Sequence, residues 1–203
     1  MTHGAGVLVI LFACGGWVEA QTLDRFDPVF RKYAKRYFGP AFDWRVFKAQ
    51  GMAESRLDTA ARSRVGARGI MQLMPSTFEA IRSRAPELES IDDPEMNIAA
   101  GIRHNRALWR LWSEASTLAD RRRFMFASYN AGRTTIRRAQ RVARRAQLDP
   151  QLWASIVTVA PRVYRWRQGQ TLHYLRTIDM WLGQLDEQGR LSGRRRLHTL
   201  PER

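Results

Sequence analysis

Apolar residues recur at helical spacing along most of this chain, and no stretch shows the strict alternation of a half-buried strand. Asp27-Pro28 supplies an N-cap and an N1 proline for a helix that places Val29, Phe30, Tyr33 and Tyr37 on one face. Asp43 can cap a second helix, which runs through Val46, Phe47, Met52 and Ala53 to about Glu54 or Ser55. Residues 58–75 carry Gly66, Gly69 and Pro75 and read as a loop, with room for a short strand pair. A helix is expected from near Ser76, and Asp93-Pro94 opens another through Ile98, Ile102 and Leu108 to Trp112. Leu118, Phe124 and Ala127 define a helix over 118–130, and further helices are expected at 133–147, 151–159 and 170–186. From Gly189 onward, with Arg194-Arg195-Arg196, the chain reads as a frayed or disordered basic tail. The pattern predicts an all-α fold with at most a minor β hairpin.

Composition narrows this picture. The 203 residues are 44% hydrophobic, with seven Trp and nine Phe, enough for the core of one domain and too many for a disordered chain. The formal net charge of +15 and a pI near 11.3 favour a polyanionic partner such as nucleic acid, anionic lipid or an acidic wall polymer. Charge names the class of partner and no chemistry. Residues 6–13 form an apolar run too short to span a bilayer, and Val18-Glu19-Ala20 offers small residues where a signal peptidase reads. Residues 1–20 therefore read as an export signal, although its start carries His3 and no Lys or Arg. Leu11-Phe12-Ala13-Cys14 allows a second reading, a lipoprotein tethered through Cys14, and an uncleaved apolar start is the third. The single cysteine excludes an internal disulfide. His3, His104, His173 and His198 are scattered, so neither a metal site nor a cofactor is expected.

The candidate chemistry sits in three short segments. Glu54 lies in Met52-Ala53-Glu54-Ser55-Arg56-Leu57, at the end of an apolar-faced helix. Protonating a leaving oxygen near neutral pH takes a carboxylic acid that still holds its proton, and burial raises a Glu pKa by penalising the charged form. A lone Glu in a last helical turn is usually solvated, but the negative end of the helix dipole is a poor place for an exposed carboxylate. Gly69-Ile70-Met71-Gln72-Leu73-Met74-Pro75 comes next, then Ala127-Ser128-Tyr129-Asn130-Ala131-Gly132 at a helix end where Gly132 can serve as the C-cap. Tyr174 lies on a later amphipathic helix, where a core role gives the same pattern. Asp58, four residues beyond Glu54, is the rival second carboxylate; its loop position also suits a solvated or capping role.

In this order, these segments resemble the lysozyme-like domain of the soluble lytic transglycosylase family, which cuts bacterial peptidoglycan. Residues 69–75 match that family's GxMQxMP pattern at every fixed position, and the resemblance covers about residues 40 to 182. Asp93-Pro94, Asn97-Ile98 and Ala100-Gly101 also fit, and residues 148–153 are similar to the catalytic module of the membrane-bound type F enzymes. Two departures stand out: His104-Asn105 replaces the usual Tyr-Leu, and Arg133-Thr134-Thr135 replaces the Pro-Gly of many relatives. The implied organisation is an export segment over 1–20, an N-terminal helix over 21–39, a catalytic domain over 40–186 and a flexible tail over 187–203.

The resemblance implies cleavage of the MurNAc–GlcNAc β-1,4 bond with formation of a 1,6-anhydro-MurNAc end, and Glu54 acting as acid and then base. It implies a sugar cleft walled by Gly69, Met71 and Gln72, with Ser55 against the acetamide region. Gln72, through its amide, and Asn130 would hold the sugars, and Tyr129 and Tyr174 would place the carboxylate. Peptidoglycan is then the partner, an anionic wall or membrane surface is a second partner through the basic faces, and family habit points to a secretion or conjugation machine. A periplasmic location is implied as well. Two other classes stay open: a wall-binding scaffold without turnover, and a nucleic-acid binder drawn from the arginine runs. The export signal and the lack of a DNA- or RNA-binding motif count against the second.

Overall fold

The computed structural model describes residues 23–192; the export segment, Cys14 and the basic run at 194–196 lie outside them. Eight α-helices of these residues succeed one another: α1 Asp27–Phe38, α2 Arg45–Ser55, α3 Pro75–Arg82, α4 Pro94–Leu111, α5 Leu118–Ala131, α6 Arg133–Arg145, α7 Trp153–Val159 and α8 Gln168–Gln184. A single 3₁₀ turn, Ala160–Arg162, links α7 to the segment before α8. The all-α expectation is met. The short strand pair reduces to isolated antiparallel bridges, Arg62 with Arg68 and Arg68 with Leu73.

Each helix hides the face its sequence marks. Phe30 and Tyr33 of α1, Val46, Phe47 and Met52 of α2, Ile98 and Ile102 of α4, and Phe124 and Ala127 of α5 enter one continuous core. Helix α2 packs along α8, α1 along α4, and α5 lies among α4, α6 and α8. Burying a large apolar side chain contributes roughly 1.5–3 kcal/mol, so the shared core holds together helices too short to persist alone. Asp93 caps α4 as expected, its side chain accepting from Met96 N–H at 2.8 Å, and Asp43 accepts from Arg45 N–H at 3.0 Å ahead of α2.

Asp27 departs from its expected capping role. It is the first residue of α1, behind Phe26, and its buried carboxylate pairs with Lys48 at 2.7 Å. Lys48 is fully buried in α2; its ammonium also reaches Asp24 at 2.6 Å and donates to Gly189 O at 2.8 Å. A buried ammonium needs anionic partners, and here it gathers its contacts from both ends of the described chain. The last described residues are therefore held, not frayed as expected for the tail from 187. Arg31 donates to Gln188 O at 2.7 Å, and Gly189 lies so close to the Trp44 ring that a Cβ there would clash with it. Lys48→Ala is expected to cost about 3–5 kcal/mol, because Asp27 would stay buried without its cation. Urea unfolding measures this; a loss below about 1 kcal/mol would mean the cluster behaves like a surface pair.

Candidate active site

Glu54 occupies the last turn of α2, and the backbone just beyond it ends the helix. Arg56 and Leu57 both adopt left-handed backbone, with φ of 56° and 64°. Such conformations cost on the order of 1 kcal/mol each for residues with a Cβ. Leu57 N–H returns to Gly51 O at 3.4 Å, and its side chain is buried over Gly51, where a Cβ would stand 2.9 Å from it. The turn leaves Glu54 half-buried: some of its surface meets solvent, while its carboxyl group is walled by protein. Burial pushes its pKa from the ordinary 4.5 up to about 7, and a hydrogen bond from Tyr174 offsets part of that rise. No charged neighbour among the described residues enters this balance.

A buried polar chain stands behind the carboxylate. Tyr174 Oη donates to Glu54 Oε1 at 2.6 Å, Gln50 Nε2 donates to Tyr174 Oη at 3.1 Å, and Asn105 Nδ2 donates to Gln50 Oε1 at 2.6 Å. With its oxygen accepting from Gln50, the Tyr174 hydroxyl is left to donate to Glu54. Burial first, then the nearby Glu54 charge, pushes its pKa well above the usual phenol value, so it stays a neutral donor. No sequence motif singles out Gln50, and Asn105 enters the sequence reading only as altered packing. A polar side chain in an apolar helical register is the signal that could find Asn105.

The Gly69–Pro75 segment is anchored from inside. Asn97 of α4, 1% exposed, accepts from Met71 N–H at 2.8 Å and donates to Arg68 O at 3.1 Å and Ile91 O at 2.9 Å. Gly69 has φ +70°, and a Cβ there would lie 2.6 Å from the Asn97 amide. Its lack of a side chain admits Asn97, in place of the ligand expected there. Met71 is also moved from its expected place at the sugar: its side chain is fully buried, against Gly101, where a Cβ would come within 2.7 Å of it. Gln72, itself at φ 45°, donates through Nε2 to Gly69 O at 2.9 Å and Ala61 O at 3.2 Å, so its amide nitrogen braces the loop. Ser55 Oγ donates to Ile70 O at 2.9 Å and ties the loop to the end of α2.

Tyr129 and Asn130 close the opposite side. Tyr129 Oη donates to Met71 O at 2.7 Å, so its hydroxyl serves the loop and not the carboxylate. Its pKa is nonetheless raised by burial and then by the Glu54 charge, which puts the two within electrostatic reach. Asn130 is exposed, and its Oδ1 accepts from Thr171 Oγ1 at 2.9 Å, which accepts in turn from Trp166 Nε1 at 3.0 Å. That leaves the Asn130 Nδ2 donor outward. His104 sets its ring edge-on to Tyr129 at 5.3 Å; burial first, and the Arg133 charge second, lower its pKa to about 4, so it is neutral near pH 7. Asp58 is exposed and accepts from Ala60 N–H at 2.9 Å, a turn-capping role.

One half-buried carboxylic acid, a directed phenol and a braced loop form a site suited to acid–base work. Comparison with known proteins agrees with the geometry. The membrane-bound lytic murein transglycosylase F of Desulfosudis oleivorans is 35% identical over 141 residues, 68% of this chain and 29% of that protein. Its namesake from Pseudomonas putida is 28% identical over 185 residues, 85% of this chain and 37% of that protein. The chain thus spans well under half the length of these relatives. Among solved structures, the 70 kDa soluble lytic transglycosylase of Escherichia coli superposes with a TM-score of 0.59 at 22% identity, covering 76% of this chain and 23% of that one. A complex of the 70 kDa soluble lytic transglycosylase with bulgecin A gives a TM-score of 0.56 at 21% identity, over 84% of this chain and 26% of that one. The family profile described as "Transglycosylase SLT domain" matches residues 29–151, which hold Glu54, the braced loop, Tyr129 and Asn130 but not Tyr174. On that match, carried by the residues that build the site, the chain belongs to the transglycosylase SLT family.

Proposed function

We propose that this protein is a peptidoglycan lytic transglycosylase acting in the cell envelope. The observation that carries the reading is Glu54: a carboxyl group whose pKa burial raises to about 7, with no second carboxylate entering its balance. Hydrolytic glycosidases set two carboxylates across the scissile bond; a single acid that becomes a base suits an internal transfer. Protonated Glu54 gives its proton to the glycosidic oxygen as the bond from MurNAc C1 breaks, and GlcNAc leaves with a free 4-hydroxyl. The Glu54 carboxylate then takes the proton of the MurNAc 6-hydroxyl, whose oxygen bonds to C1. The 1,6-anhydro ring closes, Glu54 is protonated again, and no water is consumed.

Tyr174 holds Oε1, which leaves Oε2 to carry the travelling proton. Asn130 Nδ2 supplies a donor for N-acetyl sugars, and Ser55 and Gln72 shape the wall they meet. Export through residues 1–20, with or without a lipid on Cys14, would bring the enzyme to its substrate. Recruitment by a secretion or conjugation machine would confine its action.

Purified peptidoglycan digested with wild type and with Glu54→Gln, and read by mass spectrometry, tests this. Anhydro-muramyl products from wild type alone are expected. Reducing ends instead would make water the nucleophile, and wall binding without products would leave a scaffold module. Tyr174→Phe is expected to lower kcat about 10-fold or more, as the carboxylate loses its orientation. It should also move the upper limb of the pH–rate profile upward, because the bond that lowers the Glu54 pKa is gone. An unmoved limb would detach Tyr174 from the acid.

A further inference from the structure

Beside the site, two hollows meet at Leu111, and both are lined by arginine. The larger, of about 1030 Å³, starts at His104, whose ring rests on Tyr129, and carries Arg103, Arg106 and Arg110 of α4 with Arg133 of α6. The smaller, of about 410 Å³, continues it with Arg137, Arg141 and Arg144. On each helix these residues fall at intervals of three and four, which aligns them in one row. Among the described residues no carboxylate lines the larger hollow, and Glu114 is the one carboxylate lining the smaller.

Other acids of the chain do not neutralise the rows. Among the described residues no carboxylate lies within 4 Å of Arg103, Arg106, Arg110, Arg133, Arg137, Arg141 or Arg144. Arg106 lies over the Phe38 ring at 5.2 Å and Arg103 over Tyr37 at 5.8 Å, so aromatic faces hold the guanidinium groups in the groove. Within the trough the Arg106 pKa is lowered first by burial and then by the Arg110 charge. An anion placed between these two like charges would relieve their repulsion. The two rows concentrate positive charge along one trough, where an anion finds several guanidinium groups together.

We infer that this arginine-lined trough is a subsite for the carboxylate-bearing peptide stems of the glycan strand whose sugar backbone lies at Glu54. The inference rests on the proposed glycan-cleaving activity. A planar guanidinium takes a carboxylate through two parallel hydrogen bonds, and successive stems along a strand present carboxylates in series. His104 lines the trough and packs against Tyr129, so the trough adjoins the proposed sugar site there, and the stems of a strand seated at Glu54 would pass toward Arg133.

The test separates stem binding from turnover. The full chain carrying Glu54→Gln is titrated with soluble glycan strands bearing stems, and with the same strands stripped by an amidase. A second protein adds Arg110→Gln, Arg133→Gln, Arg137→Gln and Arg141→Gln, all at exposed positions. Stems should tighten binding about 10-fold or more, the gain should shrink with salt, and it should vanish in the Arg variant while stripped strands bind both proteins alike. Equal affinity for both strands, or a stem preference that survives the four substitutions, overturns the inference. So does loss of binding to vesicles rich in anionic lipid without any stem preference, which would make the trough a membrane surface. Wild-type digestion of stripped strands tests the glycan-cleaving activity on its own; its failure would leave the measured stem preference standing.

Discussion

Glu54→Gln is expected to abolish glycan cleavage and to stabilise the folded protein above neutral pH. General acid–base catalysis contributes about 10²–10⁴-fold per group. In the proposed mechanism one group serves both proton transfers, so a loss of about 10³-fold or more in kcat is expected. The stability effect comes from the raised pKa, 4.5 in the unfolded chain and about 7 in the fold. Between these values the folded state holds a proton that the unfolded state has released. Stability from this group is therefore fully present below pH 4.5 and is lost as pH rises toward 7. At 1.36 kcal/mol per unit, discounted for partial exposure, the loss is about 2–3 kcal/mol. Gln keeps the hydrogen bond from Tyr174 and carries no charge. The melting temperatures of the two proteins should coincide near pH 4.5 and diverge by about 5–10 °C at pH 8. Parallel curves would mean that Glu54 is solvated, and the acid role would fall with it.

Asn97→Ala should produce the second largest effect, although Asn97 touches no substrate. Its amide satisfies Met71 N–H, Arg68 O and Ile91 O in a place where water does not reach. A buried polar group left without a partner costs about 1–3 kcal/mol, so a loss of about 3–5 kcal/mol is expected. The loop that Asn97 holds also carries Met71 O, the acceptor of Tyr129, and Ile70 O, the acceptor of Ser55. Its loosening should lower kcat/KM about 100-fold, since displacement by about 1 Å can cost that much. Gly69→Ala should act on the same contact from the other side, by pushing a Cβ into the Asn97 amide. The double variant should then be less destabilised than the sum of the singles. Strict additivity in urea unfolding would show that Gly69 and Asn97 act separately.

The helices are legible in the sequence because each carries an apolar stripe that period 3.6 exposes, and because Asp93-Pro94 marks a start by local chemistry alone. Glu54, the Gly69–Pro75 segment and Tyr129-Asn130 are legible as a motif order. Roles within the motif are not. Met71 and Gly69 are expected at the sugar, and they belong to the packing between loop and α4. Tyr129 is expected on the carboxylate and holds Met71 O instead. A motif records that residues are needed together without saying which face each one presents.

What the sequence by itself determined is the helical order, the family and the excess of positive charge. These depend on residue type and near-neighbour spacing, and a one-dimensional pattern carries both. Only the tertiary structure decided that Gln50, Asn105 and Tyr174, from three helices up to 124 positions apart, line up behind Glu54. The packing of α2 against α8, and of the loop over α4, likewise decided that Glu54 loses enough water to hold a proton at about pH 7. Desolvation depends on everything that surrounds a group, and for Glu54 most of the surroundings come from distant parts of the chain.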